Sequence, residues 1–365
     1  MSEVYFVYLG PRLPSYVPCS LLLAKRFSGQ NVVFLSHFAH HKKIRGTGVG
    51  FVPIEEFYNP ETFVALKEKV LFDHDFREGF WVKTFERLFV LQQFMQSSSA
   101  DSLFHAELDQ LLIGTDHLVS KIENTGRQGL FFPFHSQNKA VASVFYVNKM
   151  ASLDRLLSYA AEGEPFQHEM ELLVRFSRDF PDDVIGLPTV GSALPPAEKQ
   201  NFVFTRESLN SEALGPGVVD AAELGLWIGG RDPRNLPLST VPATKWMYDN
   251  DKAILSRDYF EGLGFKFDPE LNKLEVKSKT SQTSVTLYNL HLQSKIHCWI
   301  KRRDPLLQAI FASSNVNEPL QVSSARASQI VYHVAIQQGL RQRLRTFARV
   351  IAIEFARKLR NLLGR

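Results

Sequence analysis

An apolar run at residues 103–112 carries two carboxylates, and this run restricts what the chain can fold into more than any other feature. In a strand, where side chains alternate between faces, Glu107 and Asp109 share one face. Two like charges side by side in a core are unfavourable unless a cation lies between them or water reaches them. The sequence therefore predicts one of two arrangements. Either a core strand ends at a site for a hard divalent cation such as Mg²⁺ or Mn²⁺, or the two acids simply face water.

The composition is that of a protein with a substantial core. Of 365 residues, 44% are hydrophobic and 22% are charged, which by length predicts one large domain or two. Only Cys19 and Cys298 occur, which excludes a disulfide framework and a structural zinc cluster. The first residues read as a strand rather than a signal peptide, and no apolar run approaches the ~20 residues that span a bilayer. We therefore expect a cytoplasmic protein.

The net charge of +4 is concentrated at the end of the chain. Residues 336–365 contain seven Arg and one Lys against Glu354, which is 8 − 1 = +7, so the remainder carries 4 − 7 = −3. Apolar residues there recur at steps of three or four, which predicts a basic amphipathic helix over residues 326–365. Such a helix either lies on an anionic membrane surface, here the inner membrane face, or docks on the body of the protein. Because the residues before 336 are acidic overall and contain no nucleic-acid-binding motif, we expect no nucleic-acid partner.

The first part of the chain alternates strands and helices. Glu3–Leu9, Asn31–Ser36 and Gly48–Ile54 are strand-like apolar runs, and Ser15–Phe27 between the first two has helical spacing. This order predicts a parallel sheet with crossover helices. Ligands of such sheets bind beyond the carboxyl ends of the strands, which makes Tyr8 a candidate donor-binding residue.

A long aromatic helix is predicted over Phe80–Met95, one element before the acidic run. Most of its apolar positions suit a core. The helix carries two cations, Arg87 and, one turn earlier, Lys83. Either cation could reach an anionic ligand beside Glu107 and Asp109, or could lie on a solvated helix face.

Taken in order, these segments and two later ones resemble the glycosyltransferases of the GT-A fold. The later segments are residues 218–235, rich in small side chains, and residues 288–295, which read Tyr-Asn-Leu-His-Leu-Gln-Ser-Lys. The resemblance covers about residues 1–300. It implies an α/β fold with a Rossmann-like nucleotide-binding half and a mixed sheet. The implied catalytic domain is residues 1–325, with a donor half at about 1–150 and an acceptor half at about 151–325.

The same resemblance implies roles for individual residues. In that family an acid-x-acid pair holds a divalent metal and the ribose and diphosphate of a nucleotide-sugar donor, and a distant histidine completes the metal shell. This pattern implies Asp109 and His291 as ligands of Mn²⁺ or Mg²⁺, with Glu107, Arg87 and Lys295 on the donor. The sequence departs from the pattern in two ways: the first acid is Glu rather than Asp, and the His–Lys spacing of four is tight. Without the resemblance, His291 could equally be an ordinary histidine at a strand end, and Lys295 could equally be an ordinary surface lysine.

Asp220 and Glu223 are the candidate catalytic residues on the acceptor side. They lie three residues apart, so they share one face at the head of a helix rich in small residues. Either could take the proton of the acceptor hydroxyl. Asp220 could instead cap a helix over residues 221–227.

The following residues are candidates for binding the acceptor. Trp227 could be a sugar platform or a core residue. After the glycine pair 229–230, Arg231, Asp232 and Arg234 could line a sugar cleft, although such glycines also simply shape loops.

The sequence thus predicts a metal-dependent glycosyltransferase that acts on a nucleotide-diphosphate sugar. Its acceptor would be a glycan or a lipid-linked glycan in surface-polysaccharide or lipopolysaccharide assembly. Two alternatives remain open at this point: a nucleotidyltransferase with the same acid pair, and a membrane-surface adaptor without catalysis.

Overall fold

The computed structural model describes residues 2–72, 74, 76, 78–136, 138–193, 217–229, 257–292 and 310. The chain divides into two compact units, residues 1–235 with 241–315 and residues 236–240 with 316–365, and every described residue belongs to the first. The predicted amphipathic helix at 326–365 lies outside the described residues. Within the described part of the chain, no helix combines the length and the hydropathy needed to cross a membrane.

The described strands form a large mixed sheet and two smaller ones. In chain order the strands are β1 (Glu3–Tyr8), β2 (Asn31–Ser36), β3 (Gly50–Pro53), β4 (Leu103–Ala106), β5 (Gln110–Leu112), β6 (Leu130–Ser136), β7 (Lys139–Ala140), β8 (Val144–Val147), β9 (Val184–Leu187), β10 (Gly217–Val218), β11 (Leu263–Asp268), β12 (Lys273–Ser278), β13 (Ser284–Leu287) and β14 (Asn289–His291).

The described helices cover the faces of these sheets. In chain order they are α1 (Val17–Phe27), α2 (His41–Ile44), α3 (Glu61–Lys67), α4 (Phe80–Ser98), α5 (Thr115–Asn124), α6 (Met150–Glu162), α7 (Glu169–Asp179), α8 (Val190–Ala193), α9 (Glu223–Gly229) and α10 (Arg257–Glu261).

The large sheet confirms the predicted α/β fold with a mixed sheet. Its strand order is β3-β2-β1-β4-β8-β6-β7, and β9 also pairs with β6. The strands β3, β2, β1 and β4 are parallel, as expected for the Rossmann-like half, whereas β8 is antiparallel to both β4 and β6. One face is covered by α3, α4, α6 and α7 and the other by α1 and α5, so the sheet is buried on both sides.

The apolar run at residues 103–112 is not one continuous strand. Strand β4 ends at Ala106, a turn closed by a hydrogen bond from Gln110 N to Glu107 O follows (3.0 Å), and β5 then leaves the large sheet. It pairs antiparallel with β14, which sets Gln110 opposite His291. The two acids therefore lie in a turn at a strand end, and the distant strand β14 is delivered directly beside them.

The second sheet has the order β10-β13-β12-β11. The strand-like runs Lys273–Val276 and Thr283–Leu287 in the sequence predict an antiparallel pair. This pair is present as β12 and β13, and β14 follows directly with His291. Residues 190–201 lack a clear hydrophobic pattern, which predicts a surface excursion. This prediction is wrong for residues 190–193, which form the short helix α8, and Val190 is buried because it packs into the apolar core of this second sheet.

Candidate functional site

Three side chains from distant parts of the sequence meet where β4 ends. Glu107 and Asp109 come from the turn after β4, and His291 comes from β14. The Nε2 atom of His291 lies 3.6 Å from Glu107 Oε2 and 3.5 Å from Asp109 Oδ1. One ligand atom from each residue lies within 4.8 Å of the others. The resemblance implied Asp109 and His291, which are 291 − 109 = 182 positions apart, as metal ligands, and the structure brings both together with Glu107.

The donor set suits a small divalent cation. Two carboxylates and one imidazole are ligands that Mn²⁺ accepts, and carboxylates are the usual protein ligands of Mg²⁺. A cation about 2.1 Å from each donor would hold neighbouring donors about 3 Å apart, so the gaps of 3.5–3.6 Å between His291 Nε2 and the two carboxylate oxygens require little movement. The residues present therefore fit a divalent metal.

Proton binding at His291 reflects the charges around it. Burial lowers the pKa of His291, but the charge of Asp109, its hydrogen bond, and the charges of Glu107 and Asp220 outweigh burial, so the pKa is raised. A cation would take the place of this proton, because a metal-bound imidazole must be neutral.

Arg87 is buried against the acid pair rather than exposed on a solvated helix face. It lies on the buried stripe of α4, and its Nη1 atom donates to Glu107 Oε1 at 2.6 Å. Only 8% of the Arg87 side chain is exposed. Its Nε and Nη2 atoms have no hydrogen-bond partner among the described residues. A buried guanidinium with donors to spare is well suited to bind an anion.

Other buried polar atoms around Arg87 also lack partners within the described part of the chain. They include Nε2 of His105 on β4 and Oγ of Ser143, whose backbone oxygen accepts from Glu107 N at 2.8 Å. Burial and then the Arg87 charge hold the pKa of His105 well below its usual range, so this imidazole is neutral. An unmade hydrogen bond in a protein interior costs about 1–3 kcal/mol, so these atoms indicate a place for a polar ligand.

Glu169, which the sequence reasoning missed, is a further buried acid near Arg87. It begins α7, is 4% exposed, and its Oε2 accepts from Thr84 Oγ1 at 2.6 Å. Burial raises the pKa of Glu169 to about 7, although the Arg87 charge and the Thr84 hydrogen bond oppose this shift. The signal in the sequence was an acid at the head of an amphipathic helix, which by itself indicates only a favourable helix start.

Asp220 is bound by backbone groups on both sides. Its carboxylate accepts from the backbone N–H groups of Ala222, Leu224 and Gly225 at the start of α9, and from His291 N at 2.9 Å. Four donors occupy its two oxygens, and the residue is 2% exposed. Asp220 is thus the helix cap that the sequence allowed, and it also joins α9 to the strand that carries His291. Because its lone pairs are already used, Asp220 is less well placed than Glu223 to accept a proton.

The remaining predicted site residues are placed as follows. Tyr8 is half-buried at the end of β1, where its hydroxyl donates to Arg12 O at 2.7 Å and its ring packs on His40. Trp227 stacks on Phe260 with centroids 5.3 Å apart, which is a core packing role. Lys295, predicted to bind the donor, lies outside the described residues. So do three of the four residues predicted to bind the acceptor, namely Arg231, Asp232 and Arg234.

No protein-family model and no curated protein sequence matches this chain. Solved structures that match include glycosyltransferases, as the resemblance predicted. Apo mouse xyloside xylosyltransferase 1 matches with a TM-score of 0.38 and 9% identity, over 51% of this chain and 85% of that one. An active-site mutant of LgtC matches with a TM-score of 0.38 and 13% identity, over 57% and 83%.

A cytidylyltransferase is also among the matching structures. A cytidylyltransferase from Leptospira borgpetersenii matches with a TM-score of 0.33 and 13% identity, over 52% of this chain and 76% of that one. All of these identities and TM-scores are low. The function proposed below therefore rests on the residues of this chain.

Proposed function

We propose that this protein is a metal-dependent glycosyltransferase that moves a sugar from a nucleotide-diphosphate donor to a glycan or lipid-linked acceptor. The observation that carries the proposal is the convergence of Glu107, Asp109 and His291 beside the partly unpaired guanidinium of Arg87. We further propose surface-polysaccharide or lipopolysaccharide assembly as the process, and the cytoplasm as the compartment.

The chemistry of sugar transfer matches these residues. Breaking the bond between the sugar and the diphosphate leaves negative charge on the departing phosphate oxygens, which must be stabilised. Mn²⁺ or Mg²⁺ held by Asp109 and His291 would supply a Lewis acid at those oxygens. We propose that Glu107 binds the ribose or supports the metal, while Arg87 binds the donor through its free N–H groups. Tyr8 and Lys295 are proposed as further donor contacts.

The acceptor is proposed to approach from the side of α9, which begins at Glu223. The residues proposed to bind the acceptor follow Glu223 in the chain and are Trp227, Arg231, Asp232 and Arg234. Because the Trp227 ring stacks on Phe260, we propose that Trp227 acts by shaping the wall of the acceptor site.

The donor site is tested by thermal unfolding of the full chain with UDP, GDP or CDP, with and without MnCl₂. We expect one nucleotide to raise the melting temperature only when manganese is present, since a ligand that binds the folded state alone stabilises it. Asp109→Asn and His291→Ala should abolish this shift. The exposed Asp101 serves as a matched control, and Asp101→Asn should respond like wild type.

Two outcomes would contradict the proposal. No manganese-dependent shift with any nucleotide would favour the adaptor without catalysis. Release of pyrophosphate from a nucleoside triphosphate, rather than of a nucleoside diphosphate from a nucleotide sugar, would favour the nucleotidyltransferase.

The basic segment at residues 326–365 is proposed to bind an anionic membrane surface, on its charge and apolar spacing alone. Basic residues near such a surface contribute on the order of 1 kcal/mol each. We expect the full chain to sediment with phosphatidylglycerol vesicles but not with phosphatidylcholine vesicles. Replacing Arg345 and Arg349 by Glu should weaken sedimentation at least tenfold, and unchanged sedimentation would instead support docking on the body.

A further inference from the structure

A second cluster of polar side chains lies near His291 and takes no part in the metal grouping. It surrounds a small cavity between the end of β6, the β9–α8 connection and α9, lined by Phe134, His135, Thr189, Val190, Glu223 and Phe260 among others. The space open to the centre of a water molecule is about 10 Å³. A cavity of this size has room for about one water molecule or one hydroxyl group.

Two buried polar atoms in this cluster lack hydrogen-bond partners among the described residues. They are Nδ1 of His135 and Oε1 of Glu223, which lie 3.6 Å apart. The side chains of His135 and Glu223 are 24% and 19% exposed. The gap is slightly too long for a hydrogen bond but needs only a small movement to become one. Catalytic hydrogen bonds are often long before the substrate binds and tighten afterwards.

The backbone fixes this cluster relative to the metal grouping. Asp220 Oδ2 accepts from Gly225 N (2.6 Å) on α9 and from His291 N (2.9 Å) on β14, so one carboxylate joins the two elements. Gly225 makes the approach possible, because a Cβ at this position would lie 2.3 Å from the backbone oxygen of His291. Glu223, two residues before Gly225, is therefore held on a helix that packs directly against the strand of His291.

We propose that Glu223 takes the proton of the acceptor hydroxyl and that His135 positions the Glu223 carboxylate for this task. The inference rests on the proposed function and specifies its acceptor side. The acceptor O–H bond breaks as its proton moves to Oε2 of Glu223. The acceptor oxygen then forms a bond to the sugar carbon. The bond from that carbon to the diphosphate breaks, and its electron pair leaves with the diphosphate.

His135 is the positioning residue in this scheme. As the neutral tautomer with a proton on Nδ1, it donates to Oε1 of Glu223 and leaves Oε2 directed at the acceptor. Burial, and after it the charges of Lys139 and His291, lower the pKa of His135 to about 4, so the ring is neutral at pH 7. A neutral ring can donate from Nδ1 without bringing a charge into the site.

The surroundings of Glu223 make its carboxylate a strong base. Burial and the neighbouring Asp220 charge raise the pKa of Glu223 to about 8. The other titratable groups that face it are His135 on β6 and Tyr259 on α10, and the Glu223 charge contributes to the raised pKa of Tyr259. A general base works best when its pKa is close to the working pH.

The test uses acceptor-free hydrolysis of nucleotide sugars, in which water occupies the acceptor position. The full chain is assayed with UDP-glucose, UDP-galactose, UDP-N-acetylglucosamine and GDP-mannose in MnCl₂, and release of nucleoside diphosphate is measured. Glu223→Gln should lower kcat by about 10²-fold or more, the usual contribution of a general base, with KM unchanged. Glu86→Gln is the matched control, because Glu86 is also half-buried and accepts from Tyr58 at 2.9 Å, and it should keep wild-type turnover.

The pH profile separates positioning by His135 from a purely structural role. Wild-type turnover should rise with pH up to about 8, as Glu223 loses its proton. His135→Phe removes the donor to the carboxylate, so the pKa of Glu223 rises further and the profile moves to higher pH. His135→Asn places an amide N–H near the position of Nδ1 and should restore most of the wild-type profile.

Each result decides the matter in a different way. If wild type turns over a donor but Glu223→Gln stays within threefold of it, or if His135→Phe leaves the pH profile unmoved, this inference is wrong and the proposed function stands. If wild type releases no nucleoside diphosphate from any donor, both are wrong. Manganese-dependent stabilisation of Glu223→Gln by UDP or GDP confirms that this variant is folded.

Discussion

The carboxylates of Asp183 and Glu107 both pair with an arginine, but the arginine beside Glu107 keeps hydrogen-bond donors without partners among the described residues. Asp183, at the start of β9, accepts from Ser152 Oγ at 2.6 Å and from Lys149 at 3.3 Å, and also pairs with Arg155. Glu107 pairs with Arg87 at 2.6 Å, yet two of the three guanidinium nitrogens have no partner in the described part of the chain. An arginine–carboxylate pair is thus part of a hydrogen-bonded cluster at Asp183, whereas at Glu107 the arginine keeps N–H groups that a ligand could bind.

Exposure of the cations reinforces this difference. The side chains of Lys149 and Arg155 are 39% and 49% exposed, so water solvates their charges while they hold Asp183. The charge of Arg87 is in the interior, where only 8% of the side chain is exposed. An interior cation with unused donors costs stability, and proteins retain such groups chiefly where they function. We infer that the Asp183 cluster serves the fold and the Arg87 cluster serves the ligand.

The largest effect on stability is expected at Asp183. Asp183→Asn removes a carboxylate with three partners, and because both cations can still reach water the loss should be about 1–3 kcal/mol. Burial raises the pKa of Asp183, but Ser152, Lys149 and Arg155 outweigh it, so the folded pKa lies below the unfolded value. Its contribution is therefore present above the unfolded pKa, about 4, and disappears as the pH falls through the folded value.

Urea unfolding at neutral and acidic pH measures this contribution. The difference between wild type and Asp183→Asn should be largest near pH 7 and vanish in strong acid. Asp182→Asn, an exposed neighbour, is the control and should change little. A difference that persists unchanged in acid would show that the carboxylate charge is not what stabilises this site.

A much smaller effect on stability is expected at Asp109. In the metal-free protein, Asp109→Asn removes repulsion with Glu107 but also the attraction to His291, so the two changes oppose each other. The free energy of unfolding should stay within about 1 kcal/mol of wild type, although manganese-dependent donor binding is lost. A loss as large as that of Asp183→Asn in metal-free urea unfolding would mean that the acid pair serves the fold, and would end the contrast between the two clusters.

Much of the metal grouping could be predicted because it depends on local pattern. The acid pair interrupts an apolar run, Arg87 interrupts an aromatic helix, and the β12–β13 pairing that delivers His291 has clear strand spacing. The turn after Ala106 could not be predicted, because no glycine or proline marks it in the sequence and only the distant β14 draws Gln110–Leu112 away from the large sheet.

The acceptor-side cluster was harder to predict for the same physical reason. His135 ends an ordinary aromatic strand, and nothing near it in sequence indicates that Glu223 lies 3.6 Å away. Asp220 and Glu223 look equivalent in the sequence, both acids at the head of one helix. Only the tertiary structure distinguishes them, because four backbone donors converge on Asp220 while Glu223 Oε1 has no partner among the described residues.

The sequence by itself determined the α/β architecture, the acid pair and the cation on the preceding helix, since periodicity and charge act over a few neighbouring residues. The tertiary structure decided which of these groups lie close together, which have all their hydrogen bonds made and which keep atoms without a partner. That decision depends on contacts between residues more than a hundred positions apart, such as Asp109 with His291. Hydrogen-bond satisfaction is a property of the packed interior, and it cannot be read from any single segment of the chain.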